Sequence, residues 1–167
     1  EFLAYPWINL FFGDKTEQYK FYHIGGALTF IPYGTIVDYF QQTCYDNPDM
    51  TPAERNAFYN KIEKQFLPHM TTEGIPALQD GRRWQRQAHI FESPFYYIDY
   101  CLAQFTALQF LALSQEDYDA TFKKYNQFLN YGGTKTFVEL LDACGLKSPF
   151  EEESFKLVVA SVEKTLG

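Results

Sequence analysis

The spacing of apolar and polar residues predicts a chain that is almost entirely helical. Apolar residues recur three and four positions apart, which is the period of an α-helix, and the sequence carries neither a β-hairpin signal nor an internal repeat. We therefore predict an all-α fold in one segment, residues 1–167. The predicted helices cover residues 1–12, 15–24, 27–45, 52–67, 82–91, 95–113, 114–129, 134–144 and 148–166.

The clearest helix start lies at Thr51. Its side chain suits the N-cap position, Pro52 suits the first helical position, and Glu54 completes a capping box. The residues that follow predict one buried face and a stop, namely Phe58, Ile62 and Phe66 for the face and Pro68 for the stop. Further helix starts are expected at Ser114 with Asp117, at Thr134 and at Ser148.

Glycine and proline mark the expected interruptions between helices. Gly25-Gly26 predicts a break, and Pro32 predicts a kink in the helix after it. Residues 69–81 are rich in glycine and proline and predict a loop. Ser93-Pro94 predicts a second break, and Gly132-Gly133 predicts a hinge.

The aromatic content indicates a large buried surface. Aromatic residues make up 19% of the chain, with 17 Phe and 13 Tyr, which is typical of a large core, an interface or a binding cleft. The predicted helix 95–113 is apolar on nearly every side, so we expect it to be buried in a larger assembly. The chain opens at Glu1 within an apolar pattern and without a cap, and we expect it to be a fragment of a longer protein.

Charge and cysteine usage limit the classes of partner. The net charge of -7 disfavours nucleic acid, because phosphate binding needs clustered Lys and Arg. No apolar stretch approaches membrane-spanning length and no signal peptide is visible, so we expect no membrane partner. The cysteines are odd in number and widely spaced within apolar patterns, which predicts free thiols in a reducing compartment, the cytoplasm. They are Cys44, Cys101 and Cys144.

The residues of this chain do not supply a complete catalytic constellation. A catalytic zinc site needs three ligands with at least one close pair, whereas His23, His69 and His89 are far apart in sequence. The two glycine pairs do not form a phosphate-binding loop, and no serine nucleophile elbow is present. We therefore expect no metal to be bound by this chain.

One segment does carry side chains suited to catalysis. Tyr96, Tyr97 and Tyr100 are three and four residues apart, which would place them on one side of the first turns of a helix, and His89 lies just upstream. Phenol hydroxyls and an imidazole N–H are donors without negative charge, as a developing oxyanion requires. Tyrosines at helical spacing are more often core residues whose hydroxyls bond to the backbone, so the residues leave both interpretations open.

The same segment strongly resembles a signature of a known peptidase family. Residues 86–104 read RQAHIFESPFYYIDYCLAQ, which is similar to the C-terminal part of the oligoendopeptidase F group within the thimet-oligopeptidase-like family of zinc metallopeptidases. The resemblance extends over essentially the whole chain, through residues 21–23 (FYH), 27–34 (ALTFIPYG), 47–55 (NPDMTPAER) and 145–150 (GLKSPF). It implies the helical C-terminal part of a zincin-type oligopeptidase catalytic domain, whose partners would be short peptides.

The resemblance also implies how the work of the site is divided. Such enzymes bind zinc through an HExxH helix and a later glutamate, and a glutamate activates the zinc-bound water that attacks the scissile carbonyl. Glu1 resembles a residue just downstream of the third ligand, so all the ligands and the base would lie upstream of this chain. His89 and Tyr100 would then bind the substrate and the oxyanion, with Tyr96 and Tyr97 next. For His23, packing and contact with the substrate cleft both remain open.

Two other functions compete with an endopeptidase. One is an all-α interaction module that kept the sequence but works without metal, and the other is a carboxypeptidase of the same clan. The alternatives differ in the sequence encoded upstream of Glu1 and in which end of a peptide is cut. On the endopeptidase interpretation this chain by itself is inactive, and zinc belongs to the full-length enzyme.

Overall fold

Residues 1–166 are described by a computed structural model, and this part of the chain contains helices and no strand. The prediction of an all-α fold is thereby confirmed. The α-helices are α1 (Asn9–Phe12), α2 (Thr16–Asp46), α3 (Pro52–Phe66), α4 (Pro76–Gln79), α5 (His89–Glu92), α6 (Ile98–Ser114), α7 (Tyr118–Tyr131), α8 (Phe137–Ala143) and α9 (Glu152–Leu166). Three short 3-10 helices span Phe2–Trp7, Gly13–Lys15 and Arg83–Arg86. None of the helices between residues 1 and 166 is long and apolar enough to cross a membrane.

The helices group into two compact units. Unit 1 comprises Glu1–Gly25 together with the described residues from Leu102 onward, and unit 2 comprises Gly26–Cys101. Both boundaries fall inside helices, at Gly25 in α2 and at Cys101 in α6. The expectation of a single all-α segment stays a prediction.

Unit 1 is built around a cluster in which α6, α7 and α8 meet. Its buried members are Phe110, Leu141, Cys144 and Leu146. Burying a large apolar side chain contributes roughly 1.5–3 kcal/mol to the free energy of unfolding, so such clusters decide where helices lie. Gln109 ties the end of α8 to this core, because its side-chain amide donates to the Lys147 carbonyl and accepts from the Lys147 N–H, both at 2.8 Å.

Unit 2 has its own core, formed mainly by α2 and α3. Its buried members are Ile36, Phe40, Tyr59, Ile62 and Leu67. Trp84 packs against this core, and its indole N–H donates to Asn56 Oδ1 at 2.9 Å. The predicted start of α3 is confirmed, since the Thr51 side chain accepts from the Glu54 N–H while the Glu54 carboxylate accepts from the Thr51 N–H.

The predicted break at Gly25-Gly26 is wrong, because α2 runs unbroken for 31 residues. A glycine inside a helix lowers its stability by about 1 kcal/mol and a proline by about 3 kcal/mol. Burial of apolar residues along α2 outweighs these penalties, since Ile24, Ile36 and Val37 are each 0% exposed. Pro32 is accommodated inside the helix.

The first predicted helix is also different in the structure. Residues 1–12 form a 3-10 helix followed by α1, and Gly13-Asp14 begins a second 3-10 turn instead of ending the pattern. Pro6 lies inside the first 3-10 helix, where it lacks the N–H that the interior of an α-helix would use. The prediction of one helix over residues 1–12 is therefore wrong about helix type, although Phe2 and Ile8 are buried.

Other predicted helix boundaries also differ from those in the structure. Residues 82–91 form a 3-10 helix and the short α5, since Gln87 has an extended backbone. The N-cap of α7 is Asp117, whose side chain accepts from the Ala120 N–H, while Ser114 ends α6. The next helix has its N-cap at Thr136, not Thr134, and the Thr136 N–H donates to Glu139.

Candidate active site

Four ring side chains of unit 2 converge at the start of α6. The His89 ring centroid lies 4.9 Å from that of Tyr97, 5.9 Å from that of Tyr100 and 6.3 Å from that of Tyr96. Tyr100 in turn lies 5.2 Å from Tyr96 and 5.5 Å from Tyr97. The structure therefore brings together all four residues that the sequence singled out in this segment.

The tyrosines do not converge by sharing one face of a helix, as the sequence predicted. The helix starts at Ile98 and not at Phe95, so Tyr96 and Tyr97 belong to the turn before α6 and only Tyr100 lies in its first turn. Phe95 has a φ of 64°, a left-handed conformation that an α-helix does not allow. The turn therefore aims the tyrosines at His89.

A buried glutamine holds this turn in place. Gln41 of α2 is 1% exposed, and its side-chain oxygen accepts from the Phe95 N–H at 3.0 Å. The other end of the same amide donates to the Val37 carbonyl at 3.2 Å. A strained residue costs of order 1–3 kcal/mol and persists where its surroundings hold it, and strain of this kind clusters at functional sites.

Two of the three tyrosines are exposed on this chain rather than buried in its core. Tyr96 is 46% exposed and Tyr100 is 40% exposed, while His89 and Tyr97 are half-buried. Among residues 1–166, no side chain forms a hydrogen bond with Nε2 of His89. The geometry of the group favours a contact surface over the core interpretation.

The phenols are protonated donors over a wide range of pH. The neighbouring Tyr96 phenol raises the pKa of Tyr100, and a small loss of solvation adds to this. Burial raises the pKa of Tyr97, and the nearby Tyr33 phenol adds to the effect. Both groups therefore remain neutral, as donors to a developing negative charge must be.

Two side chains outside the predicted set hold His89. Gln87 Nε2 lies 2.6 Å from Nδ1 of His89, and Gln87 Oε1 accepts from the Tyr33 hydroxyl at 2.8 Å. Sequence reasoning missed both residues. Gln87 is only two positions from His89, but Tyr33 is 54 positions from Gln87 and its role depends on the tertiary fold.

Close packing also fixes Tyr97. At Gly34 in α2 a Cβ atom would collide with Cys101 Sγ and would lie 3.6 Å from the Tyr97 ring. Cys101 is 4% exposed, and burial raises the pKa of its thiol to about 11, with the Asp38 carboxylate adding to the effect. Cys101 is therefore a packing residue with little thiolate character.

His23 belongs to unit 1 and has its own partners. Its Nδ1 lies 2.9 Å from the Tyr5 hydroxyl, and its Nε2 lies 3.4 Å from the Glu1 carboxylate. The ring also packs against Phe2 and Tyr19 at centroid distances of 4.8 Å and 5.3 Å. These contacts account for a packing role, and contact with substrate stays a prediction.

Possible metal ligands do not converge anywhere in the described part of the chain. Among residues 1–166, no three His, Cys, Asp or Glu side chains lie close enough together to hold a metal ion. Cys44, Cys101 and Cys144 are free thiols. The residues described here therefore do not fit a zinc site.

Comparison with known proteins identifies the class to which this helical chain belongs. The profile of peptidase family M3 matches residues 18–157. The chain belongs to peptidase family M3. A search of curated proteins found no match.

Solved structures of peptidases share the fold. An X-ray structure assigned as oligoendopeptidase F matches with 44% identity and a TM-score of 0.91, over 99% of this chain and 29% of that one. PZ peptidase A, solved with an inhibitor, matches with the same sequence identity, TM-score and coverage of both chains. A structure from Bacillus anthracis str. Ames is also assigned as oligoendopeptidase F. It matches with 37% identity and a TM-score of 0.78, over 99% of this chain and 26% of that one. This chain thus spans under a third of the length of these proteins, and the predicted resemblance is confirmed.

Proposed function

We propose that this chain is part of a zinc metalloendopeptidase that hydrolyses short peptides, and that it supplies the substrate-binding wall of the active site. The observation that carries the proposal is the convergence of His89 with Tyr96, Tyr97 and Tyr100. Membership of peptidase family M3 gives the reaction class.

In this proposal, His89 and the three tyrosines form the wall and stabilise the negative charge that develops during peptide hydrolysis. When water adds to a peptide carbonyl, the carbonyl oxygen becomes an oxyanion, and preorganised donors lower the barrier by stabilising it. His89 offers Nε2 and Tyr100 offers its hydroxyl, and neither brings a negative charge. A carboxylate in their place would repel the oxyanion.

The rest of the site comes from outside this chain. Peptidases of this family are generally zinc-dependent, yet residues 1–166 do not form a metal site. In this proposal the ligands and the general base belong to the upstream polypeptide, which is the principal partner of this chain. The role of this chain is to hold the substrate and the oxyanion.

Exposed apolar and aromatic residues near the start of the chain favour such a partner. In unit 1, Leu10, Phe11, Phe21 and Tyr22 are 74%, 79%, 60% and 68% exposed. Isolated exposed apolar residues are ordinary, but several within 13 positions are typical of a surface that packs against protein. The upstream polypeptide would cover them.

The test uses the full-length protein encoded by the reading frame that contains residue 1. We expect an HExxH sequence within a few dozen residues upstream, and zinc-dependent cleavage of a short peptide blocked at both ends. The 167-residue chain should neither bind zinc nor cleave this peptide. A start codon directly before residue 1, or a full-length protein without hydrolase activity, would favour the interaction module. Cleavage only of peptides with a free C-terminus would favour the carboxypeptidase.

A further inference from the structure

A hydrogen-bonded chain of three polar side chains, Tyr33, Gln87 and His89, leads from α2 to Nδ1 of the His89 ring, the nitrogen opposite the one proposed to face the oxyanion. The Tyr33 hydroxyl bonds to Gln87 Oε1 at 2.8 Å, and Gln87 Nε2 lies 2.6 Å from His89 Nδ1. The two ends of a glutamine amide are not equivalent, since the oxygen only accepts hydrogen bonds and the nitrogen only donates them. The direction of the amide therefore decides which proton His89 carries.

Tyr33 fixes the direction of the amide. Burial raises the pKa of the Tyr33 phenol, so it keeps a proton that needs an acceptor. Among the described residues, the hydrogen bond of this hydroxyl goes to Gln87. Among the charged groups that act on the ring, Arg83 and Arg86 are donors and cannot take the proton. The third, the Glu63 carboxylate, is paired with Arg83 at 3.1 Å. The amide oxygen therefore faces Tyr33 and the amide nitrogen faces His89.

We infer that Gln87 is a positioning residue that holds neutral His89 as the tautomer protonated on Nε2, and that Tyr33 orients Gln87 for this role. Nδ1 must accept from the Gln87 amide, so the single proton of the neutral ring lies on Nε2, on the side where no described residue bonds to it. The inference rests on the proposed function. In the opposite tautomer, Nε2 would present a lone pair to the oxyanion and would oppose the reaction.

Reversing the polarity at position 87 provides the test in the full-length protein. In Gln87→Glu the carboxylate accepts a hydrogen bond from a protonated Nδ1. The neutral ring then has no proton on Nε2, whereas the doubly protonated ring carries a proton on both nitrogens. We expect kcat of this variant to fall by up to about 10²-fold as the pH rises and the ring loses a proton, which is the loss typical of one oxyanion donor. KM should change far less than kcat. Gln85→Glu is the matched control, since Gln85 is exposed and lies in the same short segment.

The other ionisable groups near His89 do not explain a fall of kcat with rising pH in Gln87→Glu. They are the phenols of Tyr96, Tyr97 and Tyr100, with the Tyr33 phenol behind Gln87. Since the pKa values of Tyr33, Tyr97 and Tyr100 are raised, these three phenols do not ionise at neutral pH. A fall of kcat in Gln87→Glu and not in Gln85→Glu therefore reports on the His89 ring.

A second variant tests the role of Tyr33. Tyr33→Phe removes the group that orients the amide, and loss of this one hydrogen bond should lower kcat about 2- to 10-fold. Tyr39→Phe is the control, because Tyr39 lies on the same helix and is 44% exposed. Equal kcat values for the two variants would overturn the role of Tyr33.

The tautomer itself can be measured without any variant that has to remain active. In nitrogen NMR of the protein with labelled histidine, the His89 signal is assigned by its loss in His89→Ala, and we expect the proton of the neutral ring on Nε2. A proton on Nδ1, or identical pH profiles for Gln87→Glu and Gln85→Glu, would overturn the inference. A wild-type enzyme without zinc-dependent hydrolysis would instead overturn the proposed function and leave the measured tautomer standing.

Discussion

At the scale of single residues, Gly34 determines how closely α2 approaches the start of α6 within unit 2. A Cβ at this position would collide with Cys101 Sγ, which is buried and cannot move aside easily. We expect Gly34→Ala to lower the free energy of unfolding by about 1–3 kcal/mol, as overpacking of a core does. The measurement is urea unfolding of the protein.

Gly26→Ala is the matched control for this prediction. Gly26 lies on the same helix, but a Cβ there meets no atom within 4 Å. Replacing a helical glycine by alanine in open space should raise the free energy of unfolding by about 0.5–1 kcal/mol. Equal changes in the two variants would show that contact with Cys101 does not constrain Gly34.

The Cys101 thiol predicts a loss of stability at alkaline pH. Burial raises its pKa from 9.0 to about 11, so between these values the folded protein keeps the thiol proton and the unfolded chain has lost it. The free energy of unfolding should therefore fall as the pH rises through this range, whereas below pH 9 the thiol adds no such slope. Urea unfolding of Cys101→Ala should show a shallower fall over this range. An unchanged slope would contradict the assignment.

At the scale of elements, the turn before α6 positions the candidate site. Gln41→Leu would leave the Phe95 N–H without its acceptor and release a backbone held at a φ of 64°. We expect the free energy of unfolding to fall by about 1–3 kcal/mol, the usual loss for an unsatisfied buried donor, and kcat of the full-length protein to fall with it. Gln42→Leu is the control, since Gln42 is exposed and bonds to Asp38. A lower stability with unchanged kcat would show that the turn does not position the tyrosines.

Much of the helical architecture could be predicted from sequence, because the period of apolar residues reports burial directly. The start of α3 was predictable in detail, since Thr51, Pro52 and Glu54 act through neighbours in sequence. The continuity of α2 through Gly25-Gly26 was not, because burial elsewhere along the helix outweighs local propensity. Local rules succeed where the partners are local and fail where tertiary packing decides.

The candidate site shows the same division. The spacing of Tyr96, Tyr97 and Tyr100 pointed to convergence, yet the structure achieves it through a left-handed Phe95 that no spacing rule indicates. Gln41 and Tyr33 lie 54 residues from the groups they hold, so sequence could not assign them. The residues proposed to carry the chemistry could be named from sequence, and the residues that hold them in place could not.

At the scale of the whole molecule, the proposed function makes this chain one part of a larger active site. It covers 29% of a structure assigned as oligoendopeptidase F, and its described residues do not form a metal site. In the proposal, this chain binds the substrate and the rest of the polypeptide binds zinc. Substitutions at His89 and the three tyrosines should therefore lower turnover and leave zinc binding intact. An account based on folding alone would predict that both are lost together.

The most direct test of this division is to measure kcat and zinc content together in full-length His89→Ala and Tyr100→Phe. Each variant removes one donor to the oxyanion, so kcat should fall by about 10²- to 10³-fold while zinc per molecule stays at the wild-type value. Tyr39→Phe, a partly exposed tyrosine of the same unit, should keep both values. Wild-type kcat in both site variants would contradict the role assigned to His89 and Tyr100.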